Sequence, residues 1–196
     1  MPTPPMFIEV TRTEIKSTKP YNFLRFYIAL HEWVFDENYT DGGDFDAKFP
    51  EKYYWESRSQ TEGNEYWIWW RCKKMVPPGN KLFKRVIDLD IHGVGVKQEE
   101  IMYGGKRIKV NKGKFELIIR GKIEIDPGGK WRNSNLSFLF DVFWKRIWRK
   151  ELEMYRREVN EDVLKLHDFA RDFMGLPTVK RRPHLYPLRY GYEEDH

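Results

Sequence analysis

Residues 114–125 read KFELIIRGKIEI, and nearly every second side chain is apolar. Successive side chains of an extended chain point to opposite faces. Phe115, Leu117, Ile119, Ile123 and Ile125 therefore share one face, and Glu116, Arg120, Lys122 and Glu124 share the other, with Ile118 the exception. A strand divided in this way sets one face on a core and turns the other to polar surroundings, as antiparallel sheets commonly do.

The same period recurs upstream between turn signals. Residues 53–60 and 65–76 read as a hairpin turning at Glu62-Gly63-Asn64. Residues 82–96 form a long strand in which Gly93 and Gly95 mark a bulge or a close backbone approach. Residues 100–102 and 107–110 flank Gly104-Gly105 as a further hairpin, and Asn111-Lys112-Gly113 turns the chain into the strand at 114. Residues 7–16 (FIEVTRTEIK) supply a first strand. After it, Thr18 is the expected cap of a helix with Pro20 in its first turn. The apolar positions Leu24, Ile28, His31 and Phe35 have helical spacing, and the helix ends near Asn38.

Downstream, Asp126-Pro127-Gly128-Gly129 closes the sheet and the period changes to that of a helix. Trp144, Trp148, Leu152, Tyr155, Val159, Val163, Leu166, Ala170 and Phe173 step by three or four residues. Asn133 to Asn135 offer N-caps, Gly175 falls at the C′ position and Pro177 blocks continuation. The spacing predicts one helix over 136–174, roughly 58 Å long at about 1.5 Å per residue, against a body about 40 Å across. Such a helix kinks near Asn160 or offers one end to a partner. The expected fold is α+β, a curved antiparallel sheet of about six or seven strands gripping one long C-terminal helix. Residues 1–175 make a single domain and residues 176–196 an extended basic and aromatic arm.

Composition narrows the class. A chain of 196 residues can bury roughly 70% of its unfolded surface without a covalent staple. Cys72 is the lone cysteine, so no intrachain disulfide forms, which suits a reducing, cytoplasmic setting. No run of about 18 apolar residues is present to span a membrane, and residues 1–7 lack the basic-then-apolar order of a signal peptide. Charged residues make up 33% of the chain while glutamine is scarce, which points to a thermophilic source. A net charge of +5 permits acidic partners without requiring them.

The order strand, helix, antiparallel strands, long closing helix resembles the helix-grip fold of the START and SRPBCC superfamily of apolar-ligand binders, over residues 7–174. The resemblance lies in the order of elements, so it implies no site residues. The phrases YWIWWRCKK and VIDLDIHGVGVK are similar to segments of small archaeal proteins of unknown role.

Candidate sites are few. Tyr66, Ile68 and Trp70 share one face of their strand, and Trp67, Trp69 and Arg71 share the other, so both faces are aromatic. The second set reads either as a stacking platform or as packing under a loop or partner. Asp88, Asp90 and His92 share a face and carry metal-ligating atoms, Asp90 and His92 being the nearest pair. Along a strand the outer two lie roughly 13 Å apart, too far for one ion, so a polar ladder against cations on neighbouring strands is expected. His31 and His167 belong to apolar helix faces, and Cys72 is a packed residue. No GxSxG, HExxH, CxxC or phosphate-loop spacing occurs, so binding is favoured over catalysis and no cofactor is expected.

The expected function is therefore binding or assembly, with a protein or ribonucleoprotein partner held by the long helix and the arm. Trp144, Trp148 and Tyr155 represent the helix, and Lys180, Arg181, Arg182, Tyr186, Arg189 and Tyr190 the arm. The other reading of the arm folds it back over its own sheet, where it covers the second aromatic face. One alternative is a carrier of an apolar or aromatic small molecule, with a pocket of about 300 Å³ or more between sheet and helix. Another is a single-stranded nucleic-acid binder using Trp67, Trp69 and Arg71, with steep salt dependence. Oligomeric state is left open by the sequence.

Overall fold

The computed structural model of the chain describes residues 6–40, 49–76, 82–103, 105–127, 129, 133 and 146–177. Its elements, in order, are β1 (Met6–Ser17), α1 (Phe23–Asp36), β2 (Glu51–Ser57), β3 (Asn64–Met75), β4 (Phe83–Tyr103), β5 (Lys106–Ile125) and α2 (Arg149–Phe173). The strands form one open, antiparallel, five-stranded sheet in the order β1-β5-β4-β3-β2. The chain is thus α+β with a long C-terminal helix, and the expected order of elements is the one found.

The strand count is lower than the sequence suggests. The segments 82–96 and 100–102 are one strand, as are 107–110 and 114–125, and the two pair continuously as a long hairpin. No turn forms at residues 111–113. The bulge expected at Gly93 and Gly95 is present: the register shifts between Val94 and Lys97, with Gly95 at φ +63°. Glycine adopts this left-handed conformation without a Cβ penalty, so β4 takes up an extra residue and keeps pairing.

Alternation along β5 is as read. Phe115, Leu117, Ile119, Ile123 and Ile125 are buried. Their face is covered by α2, which buries Leu152, Tyr155, Val159, Val163, Leu166 and Ala170 against β1, β5 and β4. Each such aliphatic side chain contributes about 1.5–3 kcal/mol when removed from water. The contact is closest at Gly121, where a Cβ would stand 2.7 Å from a Val159 methyl and 2.8 Å from a Val163 methyl. The helix ends as expected: Gly175 has φ +59°, its N–H bonds Asp172 O at 3.0 Å, and Leu176 N–H bonds Arg171 O at 2.9 Å, the paired bonds of a Schellman motif. The described helix begins at Arg149, with Trp148 at the N-cap position. Its 25 residues span roughly 37 Å, close to the width expected of the body. The part of the predicted helix over 136–145, Trp144 included, lies outside the described residues.

The first helix differs from its reading in two ways. Its N-cap is Asn22, whose side chain accepts from Arg25 N–H at 3.0 Å. Thr18 cannot serve, because Tyr21 is still paired with Asn111 through bonds of 2.9 and 2.7 Å. The buried residues are Phe26, Leu30 and Val34, whereas Leu24, Ile28 and Phe35 are 66%, 48% and 64% exposed. His31 is exposed as well. The helix carries two apolar stripes, and the one beside Phe23 and Tyr27 won the core.

Under α1, the hydroxyls of Tyr21 and Tyr66 are hydrogen-bonded to each other, and the Tyr66 ring lies over Gly93. Burial pushes the Tyr21 phenol up to about 12 and the Tyr66 phenol higher still. Unfolded tyrosine ionises near pH 10. The folded state therefore holds protons that the unfolded state releases above that pH, so stability is intact below about pH 10 and declines as pH rises towards and through about 12. The urea midpoint should fall over this window, and Tyr66→Phe should flatten the fall. An unchanged slope in Tyr66→Phe would remove the pair from this role.

Candidate functional site

The face of the sheet away from α2 is the most unusual surface of the molecule. Antiparallel register sets Tyr53 opposite Trp69 and Trp55 opposite Trp67, so these rings stand together on one face. They are 39%, 39%, 42% and 37% exposed, respectively. Their partners on the other parity, Tyr66, Ile68 and Trp70, are buried under α1 and in the core. The expected division of faces in 66–71 is therefore observed, and the second face is open among the described residues.

The rings are held in defined positions. Tyr53 stacks on Trp69 with centroids 4.5 Å apart, and Trp67 stacks on His92 at 3.5 Å. Trp67 Nε1 donates to Glu65 at 3.1 Å, and the same carboxylate meets His92 Nε2 at 3.0 Å. These two bonds, the indole bond after the histidine bond, hold the Glu65 carboxyl below its usual range. The Arg71 guanidinium lies 5.8 Å from the Trp69 ring centroid, a cation–π distance.

Beside the rings runs a ladder of charges. Arg71 bonds Asp90 at 2.8 Å and approaches Asp88 at 3.7 Å; Lys122 meets Asp88 at 2.6 Å; Arg120 bonds Asp90; Lys73 meets Glu124 at 3.4 Å. This is the cross-strand ladder expected of 88 and 90. Asp90 serves it, while His92 meets Glu65 and the Trp67 ring instead. Among the described residues no group of three or more His, Cys, Asp or Glu is arranged to hold a metal ion. A cavity of about 420 Å³ adjoins His92, between Lys16, Lys114 and Glu116.

The remaining predicted residues are placed elsewhere. Tyr155 is buried against Phe83 beneath α2, and Trp148 is half-buried at its start. They line the core and do not join the aromatic face. Lys180, Arg181, Arg182, Tyr186, Arg189 and Tyr190 lie outside the described residues. Cys72 is fully buried, which pushes its thiol well above the usual range. His167 is buried and meets Asp168 at 3.2 Å. Tyr53 and Trp55 were missed as site residues; the signal for them was their period-two spacing opposite Trp67 and Trp69 across a readable turn.

Among the described residues no helix is long and apolar enough to cross a membrane. The fold and this face define a two-layer α+β protein whose sheet is covered by helices on one side and presents aromatic rings on the other. No family model and no curated protein matches the chain.

Proposed function

We propose that this is a non-enzymatic binding protein whose outer sheet face docks on a protein partner. The observation that carries it is the exposed, stacked group of Tyr53, Trp55, Trp67 and Trp69 beside Arg71. Tryptophan, tyrosine and arginine dominate the energetically important positions of protein interfaces, because they bury much area with few rotors. Nucleic acid is less well served. Its phosphates need available cations, while Arg71, Arg120, Lys122 and Lys73 are already bound to Asp88, Asp90 and Glu124. A small-molecule carrier of the kind that the helix-grip resemblance implies would need room between sheet and α2. There Val159 and Val163 rest on Gly121, and Tyr155 rests on Phe83. The arm remains a second proposed contact, continuing from the end of α2.

The test uses the full chain and a Trp67→Ala, Trp69→Ala variant in quantitative affinity purification from the source cell, with a labelled single-stranded oligonucleotide titrated in parallel. A partner recovered in stoichiometric amount should fall by about tenfold or more in the variant, since each large interface anchor contributes about 2 kcal/mol or more. The oligonucleotide should bind neither form. An undiminished partner in the variant would sink the proposal, and tight, salt-sensitive oligonucleotide binding lost in the variant would replace it with the nucleic-acid function.

A further inference from the structure

The four outer rings differ in what their polar atoms do. Trp67 Nε1 is bonded to Glu65. The indole N–H groups of Trp55 and Trp69 and the hydroxyl of Tyr53 have no hydrogen-bond partner among the described residues, and all three side chains are exposed. The charges beside them are already paired: Arg71, Arg120 and Lys122 with Asp88 and Asp90, and Glu65 with Trp67 and His92. The face therefore offers flat apolar rings and three free donor groups among spent charges. Its electrostatic complement is an uncharged ligand that carries free acceptors and few donors of its own.

Peptide conformations differ in how well they meet that requirement. A helix has spent its carbonyls on its own N–H groups. An extended strand binds by pairing with a sheet edge, whereas these rings stand on the face of the sheet. A polyproline II helix has no internal hydrogen bonds, so all its carbonyls are free acceptors. Proline also brings no N–H that would need an acceptor. Such a segment is stiff before it binds and loses little entropy in docking on aromatic rings. Spacing agrees as well. Residues two apart on a strand lie about 6.8 Å apart and neighbouring strands about 4.8 Å, so the diagonal of the four-residue array is about 8 Å. One turn of polyproline II advances about 9.3 Å and repeats the same face at nearly that interval.

We infer that the outer face binds a proline-rich segment of its partner in the polyproline II conformation. Proline rings lie on Tyr53, Trp55 and Trp69, and the free indole N–H groups donate to the peptide's carbonyls. This rests on the docking role proposed above for the same face and names the chemistry of the partner.

The experiment is calorimetric titration of the full chain with a synthetic polyproline peptide of about ten residues, beside a glycine-serine peptide of the same length that has no fixed conformation. Polyproline should bind saturably and the glycine-serine peptide should not. The affinity should be unchanged between about 50 and 500 mM salt, since no exposed charge takes part. Trp55→Ala should weaken binding by about tenfold or more. Trp69→Phe keeps a ring and removes the N–H, and should weaken it by about threefold or more. Both side chains are on the open face, so circular dichroism of both variants should match wild type. A wild-type chain that ignores polyproline overturns the inference, as does equal binding of the two peptides or binding that neither variant weakens. A chain that ignores polyproline yet loses its purified partner in the Trp67→Ala, Trp69→Ala variant overturns this inference alone and leaves the docking role standing. Failure of both experiments removes the two together.

Discussion

Gly121→Val is expected to lower stability by about 3 kcal/mol, at the upper end of the usual cost of overpacking a core. The added Cβ alone would stand 2.7 and 2.8 Å from methyls of Val159 and Val163 and 3.1 Å from a Thr11 methyl. Neither valine can move aside, since both are fully buried and a β-branched side chain in a helix has one strongly preferred rotamer. The helix must therefore lift from β5 or the strand must bend away. Urea unfolding followed by circular dichroism should show a lower midpoint. A midpoint close to wild type would mean that α2 does not rest on Gly121. Gly121→Ala should fall between the two, because it adds the clash without the branch.

Asp162→Ala is expected to cost about 2–3 kcal/mol, because it leaves the buried Tyr39 hydroxyl without its charged acceptor. Asp162 lies within the buried stripe of α2, where it accepts the Tyr39 hydroxyl at 2.7 Å and stands 4.0 Å from Arg85. Arg85 also bonds Glu158 at 2.7 Å. Burial first, and the Asp162 carboxylate second, raise the Tyr39 phenol far above the ordinary tyrosine range, so it remains a donor. This cluster joins the segment after α1, strand β4 and α2. Asp162→Asn should retain part of the stability by keeping an acceptor for Tyr39, and Tyr39→Phe should cost less than Asp162→Ala because it leaves no hydroxyl unsatisfied and leaves Asp162 beside Arg85 and Lys165. Thermal unfolding of the three variants gives the order. If Asp162→Ala is the mildest, the buried cluster does not tie these elements together.

Both substitutions concern places where the sequence alone was a poor guide. Gly121 breaks the apolar run of β5, and Asp162 breaks the apolar run of α2. Each looks like an interruption of a pattern. In the fold one is the groove that receives the helix and the other the acceptor for a tyrosine from the far side of the core. A pattern along one element cannot tell which of its neighbours will supply the missing volume or charge.

The local patterns determined a good deal. Alternation over 114–125 and 65–76 assigned buried and outward faces correctly, because a period of two leaves a strand no other choice once one face is covered. Gly175 and Pro177 marked the end of α2, since only the backbone torsions at that point matter. The ladder at Asp88 and Asp90 was likewise legible from the strand rise, whereas the pairing of His92 with Glu65 was not.

Tertiary structure alone decided the rest. Residues 83–103 and 106–125 became two uninterrupted strands because cross-strand hydrogen bonds continued beyond residue 96 and through residues 111–113, where the sequence reading ended one strand and placed a turn. On α1 two apolar stripes competed with similar spacing, and only the position of α2 and the sheet selected Phe26, Leu30 and Val34 for the core. That choice exposed Leu24, Ile28 and Phe35, and the open end of the sheet exposed Tyr53 and Trp55. Neither exposure can be read from a segment alone, because burial is a property of the whole packed chain and is not contained in any one of its segments.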